Sequence, residues 1–271
     1  MAADFMDRKY YRNIVMELGA RRKLGQNFLV NESIASFEAE YSKELNVIEL
    51  GPGLGILTKE LCKKAKKVIS IEKDSRLVGI LKESIKSEKL LLVEGDFFSI
   101  DINKYMPIDI MISNIPYNIS SRVIQWLGGK GIPALLCMQK EFSDRLVARP
   151  GSREYSKLSV VASLEFTAHH VKDVGAGNFY PVPKVDSCIV YLAPNKLHAN
   201  EHTLSIITLI MNHKKKTLRN AIIDSSAELG ITKDEAKNIA EKLDYFDARP
   251  LHMEPMQIYE ASKRIADLIS K

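Results

Sequence analysis

The chain is predicted to be an α/β protein, with a mostly parallel sheet followed by a small all-α region. Three observations predict this. Apolar runs of strand length alternate with segments of helical period as far as about Ser187, the mark of a sheet covered by its crossover helices. The first of those runs enters a glycine turn, Gly51-Pro52-Gly53-Leu54-Gly55. Beyond Ala193-Pro194-Asn195-Lys196, which breaks the last strand, the patterns are amphipathic and helical.

In chain order, residues 1–30 read as a basic lead-in whose first twenty positions match no motif. Asn46–Leu50 is the first strand, and the glycines after it permit positive φ and close backbone approach to a ligand. A dinucleotide fingerprint needs a small residue three positions after the second glycine. Ile56 stands there instead, and the alternating glycines suit a nucleoside without a pyrophosphate. Lys67–Ile71 is a second strand ending in Glu72, and Leu90–Val93 a third, ending in Glu94-Gly95-Asp96-Phe97. A fourth, Asp109–Ile112, runs into Ser113-Asn114-Ile115-Pro116-Tyr117. Ser187–Leu192 reads as a late antiparallel strand. The domains expected are therefore 1–194 and 195–271, with a helix start at Thr232, where Glu235 completes a capping box.

Open α/β sheets bind ligands outside the carboxyl ends of their strands, where these polar residues fall. Glu72, about twenty residues past the first glycine, is placed to accept from both hydroxyls of a ribose. Asp96 could accept from an adenine amino group while Phe97 packs on the ring. Asn114 and a nearby carbonyl could accept both hydrogens of an aromatic amine, a poor nucleophile whose lone pair is delocalised. Pro116 restricts Ile115 to extended geometry, and Tyr117 offers a flat face for stacking. Asn-x-Pro is also ordinary turn chemistry, and each acid alone reads equally as a solvated strand end.

Composition bounds the function. Of 271 residues, 45% are hydrophobic and 27% charged, with a net charge of +5 and a pI near 8.9. These values describe an ordinary globular chain with a mild basic excess. Three widely spaced cysteines, Cys62, Cys137 and Cys188, suggest neither a disulfide framework nor a zinc site. His198 and His202 lack a completing signature, so no metal is expected. There is no nucleophile elbow or Walker loop. No apolar stretch reaches membrane-spanning length, and no secretory signal opens the chain.

Over nearly its full length the chain resembles the ribosomal RNA adenine dimethyltransferases, the kasugamycin-sensitivity enzymes and their archaeal and eukaryotic counterparts. The resemblance rests on Lys23–Leu29, Ile48–Thr58, Glu72, Gly95-Asp96, Asn114–Tyr117, Gln139–Glu141, Arg145–Ala148, Phe179–Ser187 and Lys214–Ala221. Ile115 replaces the family's usual Leu, and Ser156 stands where Gly is common. The resemblance implies a Rossmann-like class I methyltransferase sheet of seven strands and S-adenosylmethionine as methyl donor. Asn27, Leu29, Gly51 and Gly53 would then lie along the donor, Glu72 on its ribose, Asp96 and Phe97 at its adenine. Asn114 would face both donor and target amine. Phe179 would stack on a flipped adenine opposite Tyr117, beside Ile115 and Pro116. The implied reaction is direct displacement at the exocyclic N6, with alignment as the main lever. The implied substrate is two adjacent adenosines in a hairpin loop near the 3′ end of small-subunit ribosomal RNA, in an immature 30S-type particle. The protein is expected to be a cytoplasmic monomer. Arg21, Arg22 and Lys23, with Lys214, Lys215, Lys216 and Arg219 on a helical ridge, would contact phosphate. Two alternatives are a large-subunit enzyme of the antibiotic-resistance type and a non-catalytic assembly or transcription factor.

Overall fold

The computed structural model describes residues 11–19 and 26–270. The chain divides into two compact units, residues 1–143 with 169–194, and residues 144–168 with 195–271.

The first unit opens with a helical stretch over 11–18, α1. A two-residue strand β1 (Phe28–Leu29) and helix α2 (Glu32–Ala39) follow. The central strands are β2 (Asn46–Leu50), β3 (Lys67–Glu72), β4 (Leu90–Glu94), β5 (Ile110–Asn114) and β6 (Ala134–Gln139). Later in the chain come β7 (Phe166–Val174), the short β8 (Phe179–Tyr180) and β9 (Ser187–Pro194). Seven of them form one sheet in the order β4-β3-β2-β5-β6-β9-β7. The β2–β3, β3–β4, β2–β5 and β5–β6 pairs are parallel, and β6–β9 is antiparallel. Val47, Ile48, Val68, Ile69, Met111 and Ile112 are wholly buried, which is why these strands read as continuous apolar runs.

The winding direction reverses between β2 and β5, so the crevice that such sheets offer a ligand opens there. Asn114 is the last residue of β5 and Glu72 the last of β3, each one step inside the strand rather than after it. Helices α3 (Ile56–Lys64), α4 (Ser75–Ser84) and α5 (Ser120–Leu127) follow the first, second and fourth of these strands. Gly55, at the head of α3, has φ +80°, and a Cβ there would lie 2.6 Å from Leu81 Cδ2. Its role is close packing of α3 on α4.

Residues 11–18, which match no motif, have a structural role. Tyr11 and Val15 of α1 are 3% and 2% exposed and join the core that includes Leu57 and Leu61. Arg76 Nη1 donates to the Leu18 carbonyl at 2.7 Å. Downstream, β1 pairs with β8 antiparallel, Phe28 opposite Tyr180 and Leu29 opposite Phe179.

The second unit is helical: α7 (Lys157–Glu165), α8 (Glu201–Asn212), α9 (Leu218–Asp224), α10 (Lys233–Ala240) and α11 (Pro255–Ile269). Helix α6 (Lys140–Leu146) carries the chain across the first crossing between units. Thr232 and Glu235 form a reciprocal capping box at the head of α10, as the sequence predicts. Two expectations need correction. Residues 144–165 do not fold with the sheet: Tyr155, Val160 and Leu164 are buried in one cluster with Ile206, Ile207, Ile258 and Ile265. The Tyr155 hydroxyl donates to the Met253 carbonyl at 2.9 Å. Helix α7 lies in sequence where a crossover helix would, so alternation hides its allegiance. Lys214, Lys215 and Lys216 are also not helical. Helix α8 ends at Asn212, a turn carries the lysines, and Thr217 caps α9 through the Asn220 amide.

Candidate active site

A cavity of about 290 Å³ opens at the carboxyl ends of β2 to β5, near the lower end of the range for small-molecule sites. Asn27, Leu29, Gly51, Gly53, Glu72, Asp96, Phe97 and Asn114 all line it, so the structure brings the eight donor-site candidates together.

The glycine turn and Glu72 are built against each other. Glu72 Oε2 accepts from the Gly53 amide at 3.1 Å, and Oε1 from the Asp74 amide at 2.8 Å. Burial raises the pKa of Glu72, and the amides of Asp74, Gly53 and Lys73 oppose that. Each carboxylate oxygen has a second lone pair for a ligand hydroxyl. Asp96 Oδ2 pairs with Lys73 Nζ at 2.8 Å, and Oδ1 accepts from the Phe98 amide at 3.0 Å. The Lys73 hydrogen bond is the main cause that lowers its pKa. The Phe97 ring meets Trp126 edge-on at 4.6 Å.

Among the lining residues given no role from sequence are Gln26, Glu49, Phe98 and Arg122. Glu49 is buried at the floor and accepts from Thr58 Oγ1 at 2.8 Å and Ser70 Oγ at 2.6 Å. Burial pushes it up to about 7, against those two bonds. An acid inside an apolar strand was the signal available for it. The Arg122 guanidinium lies 3.9 Å over the Phe98 ring, and spacing gives no hint of that pair. Gln26 Nε2 donates to Asp74 at 3.3 Å. Asp74 caps α4 and is held down to about 2, chiefly by its bonds from the Arg76 side chain.

A smaller cleft adjoins the cavity, with Asn27, Asn114 and Pro116 common to both. Ile115, Tyr117, Cys137 and Phe179 complete its walls, so the five catalytic candidates also meet. The Tyr117 hydroxyl is 2.6 Å from Ser187 Oγ. Phe179 is 3% exposed and packs in the core. The free space is about 10 Å³, room for one water, so a purine enters only if these side chains part. Asn114 Nδ2 donates to Glu38 Oε2 at 3.0 Å, while its Oδ1 is buried with no partner.

The described basic candidates are not among the residues that line the cavity or the cleft. Arg21, Arg22 and Lys23 fall outside the described residues. In the helical unit, Lys214 Nζ donates to the Tyr155 carbonyl, Lys216 pairs with Asp224 at 2.6 Å and Arg219 with Glu241 at 3.4 Å. Lys215 is exposed. Among the described residues, His170, Asp173 and Cys188 bring three possible ligand atoms within 4.8 Å. Asp173 there is already paired with Lys140 and His170. No helix among the described residues is long and apolar enough to cross a membrane.

Comparison with known proteins adds to this geometry. The family model described as ribosomal RNA adenine dimethylase matches residues 18–247. A probable ribosomal RNA small subunit methyltransferase A from Thermococcus onnurineus is 38% identical over 251 residues, covering 90% of this chain and 91% of that protein. The protein of the same description from Methanopyrus kandleri is 37% identical, covering 90% and 92%. Among solved structures, a dimethyladenosine transferase from Plasmodium falciparum superposes with a TM-score of 0.73 at 28% identity, over 86% of this chain and 95% of that one. The 23S rRNA methyltransferase ErmE gives 0.62 at 25% identity, over 89% and 100%.

Proposed function

The chain belongs to the ribosomal RNA adenine dimethylase family, and from that premise we propose that it methylates the exocyclic N6 of adenosines in small-subunit ribosomal RNA. The targets we infer are two adjacent adenosines in a hairpin loop near the 3′ end, modified in the cytoplasm while the particle is immature. The protein would act as a monomer.

The family's methyl donor is S-adenosylmethionine, which supplies a sulfonium methyl to an attacking amine. The residues present suit it. Glu49, Glu72 and Asp96 put carboxyl groups around a glycine-walled cavity, and carboxylates favour a cationic nucleoside. Glu72 would hold the ribose and Asp96 the adenine amine. Asn27, Leu29, Gly51 and Gly53 would line the remainder, with Phe97 on the ring.

The observation that carries the proposal is Asn114. Its Oδ1 is buried without a partner on the wall common to cavity and cleft. A buried acceptor left unpaired costs about 1–3 kcal/mol, and an amine hydrogen would satisfy it. Tyr117, anchored through Ser187, and Phe179 would clamp the extruded base between flat faces, with Ile115 and Pro116 fixing the loop beside it. Alignment of amine and methyl then does most of the catalysis, with no covalent intermediate. Lys214, Lys215, Lys216 and Arg219 would carry RNA phosphate. Exposed ion pairs such as Lys216–Asp224 are worth about 0–1 kcal/mol, so a phosphate can displace the acid.

The likeness to ErmE supports a second reading, methylation of large-subunit RNA. One experiment separates them. The protein is incubated with labelled donor and immature small subunits or large-subunit RNA, and labelled nucleotides are mapped. Dimethyladenosine at an adjacent pair in the small subunit is expected. Label confined to large-subunit RNA would establish the second reading, and no label on either RNA would favour a non-catalytic role.

A further inference from the structure

Behind Asn114 lies an acid that methyl transfer as described above does not use. The buried positions of α2 include Ile34, Ala35, Glu38 and Ala39, one apolar stripe at helical spacing. Glu38 therefore occupies a core position, 0% exposed. Long charged side chains take such places rarely and with a partner. Here the partner is the amide of Asn114, whose Nδ2 donates to Oε2 at 3.0 Å. Glu38 Oε1 is buried with no partner, as is Asn114 Oδ1 at the other end of the bond.

A side-chain amide has two orientations of nearly equal shape, one presenting nitrogen and the other oxygen. An acceptor fixed on one side selects between them. With one Nδ2 hydrogen donated to Glu38, Oδ1 is the end of the amide left without a partner, in a residue that lines both cavity and cleft. The opposite orientation would offer N–H donors to an amine that is itself a donor, and the pair would not bond.

We propose that Glu38 is a positioning residue for methyl transfer, its carboxyl oxygen holding the Asn114 amide so that the carbonyl oxygen is what the target amine meets. The bond is strongest when Glu38 is ionised, since charge assistance roughly doubles it. Protonated, Glu38 can donate to Oδ1 and compete with the substrate. Burial pushes Glu38 up to about 8, with the Asn114 bond pulling down and Glu49 of β2 pushing up. The other titratable group beside it is the Cys137 thiol of β6, itself raised by burial. Lys64 of the neighbouring α3 is taken by Glu40 and the Ser36 carbonyl.

The proposal rests on the role given to Asn114 above, so its test has two arms. In the first, the full chain is labelled with ¹³C at glutamate carboxyl carbons. The Glu38 resonance is identified as the one lost in Glu38→Gln. It should titrate well above ordinary carboxylates, and Asn114→Ala should move its midpoint higher, because the bond favouring the ionised form is gone. An unmoved midpoint overturns the link, whether or not any RNA is methylated. In the second arm, Glu38→Leu should fold, since the position is apolar in pattern. It should bind donor within twofold of the parent by calorimetry, with kcat at least tenfold lower and KM for RNA little changed. Glu38→Gln, which keeps an acceptor oxygen, should restore part of kcat and lose the ionisation of residue 38 from its pH profile. Parent kcat in Glu38→Leu, or a kcat loss matched by loss of donor affinity, overturns the positioning role. If the Leu variant does not fold, the Gln variant decides by its pH profile: a profile identical to the parent's overturns the proposal.

Discussion

Glu72 is 6% exposed, yet what holds it is backbone amides, those of Gly53 and Asp74 among them, with no ion pair to it among the described residues. It therefore carries two loads: it buttresses the glycine turn and, on our proposal, holds ribose hydroxyls. Glu72→Ala should weaken donor binding by roughly 2–3 kcal/mol, the worth of two charge-assisted bonds, read by calorimetry. Glu72→Gln separates the loads, because it loses at least one acceptor while keeping the shape; unchanged affinity in both variants would remove the ribose assignment. Phe179 needs similar care. Being 3% exposed in the core, it would cost about 3–5 kcal/mol of stability as Ala, which confounds activity with folding. Phe179→Leu keeps most of the volume and removes the flat face. Methyl transfer should fall about tenfold or more for the loss of roughly 1–3 kcal/mol of stacking, with donor affinity near normal. Phe179→Tyr should keep much of the activity. Parent rates in the Leu variant would leave Phe179 as core alone.

At the level of elements, the sheet and the clustering of the candidate residues were readable because both rest on local signals. Val47-Ile48, Ile69 and Met111-Ile112 are buried on both faces, so apolar runs mark their strands. Glu72, Asp96 and Asn114 follow from where those runs stop. The rest depended on contacts between distant segments. Nothing near α7 in sequence says that Tyr155 packs with Met253, and nothing near β1 says that it pairs with β8. The helical ridge expected at Lys214–Lys216 lies past the end that His213 makes, because Lys is a good helix former and gives no stop signal. Glu38 escaped notice because one acid on a helix usually faces water. Among the glycines, Gly55 was read for its place beside a ligand, while the structure gives it a packing role as well. Gly55→Ala would set a Cβ against Leu81 and Ile85 at 2.6 and 2.7 Å, at φ +80°. We expect a loss of about 1–3 kcal/mol in urea unfolding. A Cβ at Gly51 meets nothing within 4 Å, so Gly51→Ala should cost less.

For the whole molecule, buried acids set how stability responds to pH. Glu38 and Glu49 are raised by burial to about 8 and about 7. From their unfolded values near 4.5 up to those figures, the folded chain binds more protons than the unfolded one. Stability therefore declines as pH rises across that window and levels off above about pH 8. Asp74, held at about 2, has the opposite sign: its contribution is complete above its unfolded value and fades as pH falls toward 2. The urea midpoint should be higher at pH 6 than at pH 9, and Glu49→Gln should flatten that slope; a midpoint rising with pH would contradict the buried-acid account. The pairing of Leu29 with Phe179 reaches further. Leu29 walls the cavity we propose for the donor and Phe179 the cleft we propose for the base, so on that proposal one two-rung ladder spans both doors. Two methyls on one nitrogen require a spent donor to leave and a fresh one to enter between transfers. A ladder that yields for that exchange also loosens the clamp on the base, and the half-finished nucleotide escapes. We expect a distributive enzyme, with free monomethyladenosine rising before the dimethylated product in a pulse-chase time course. Chase-resistant conversion of every bound target to the dimethyl form would mean that the two doors move independently.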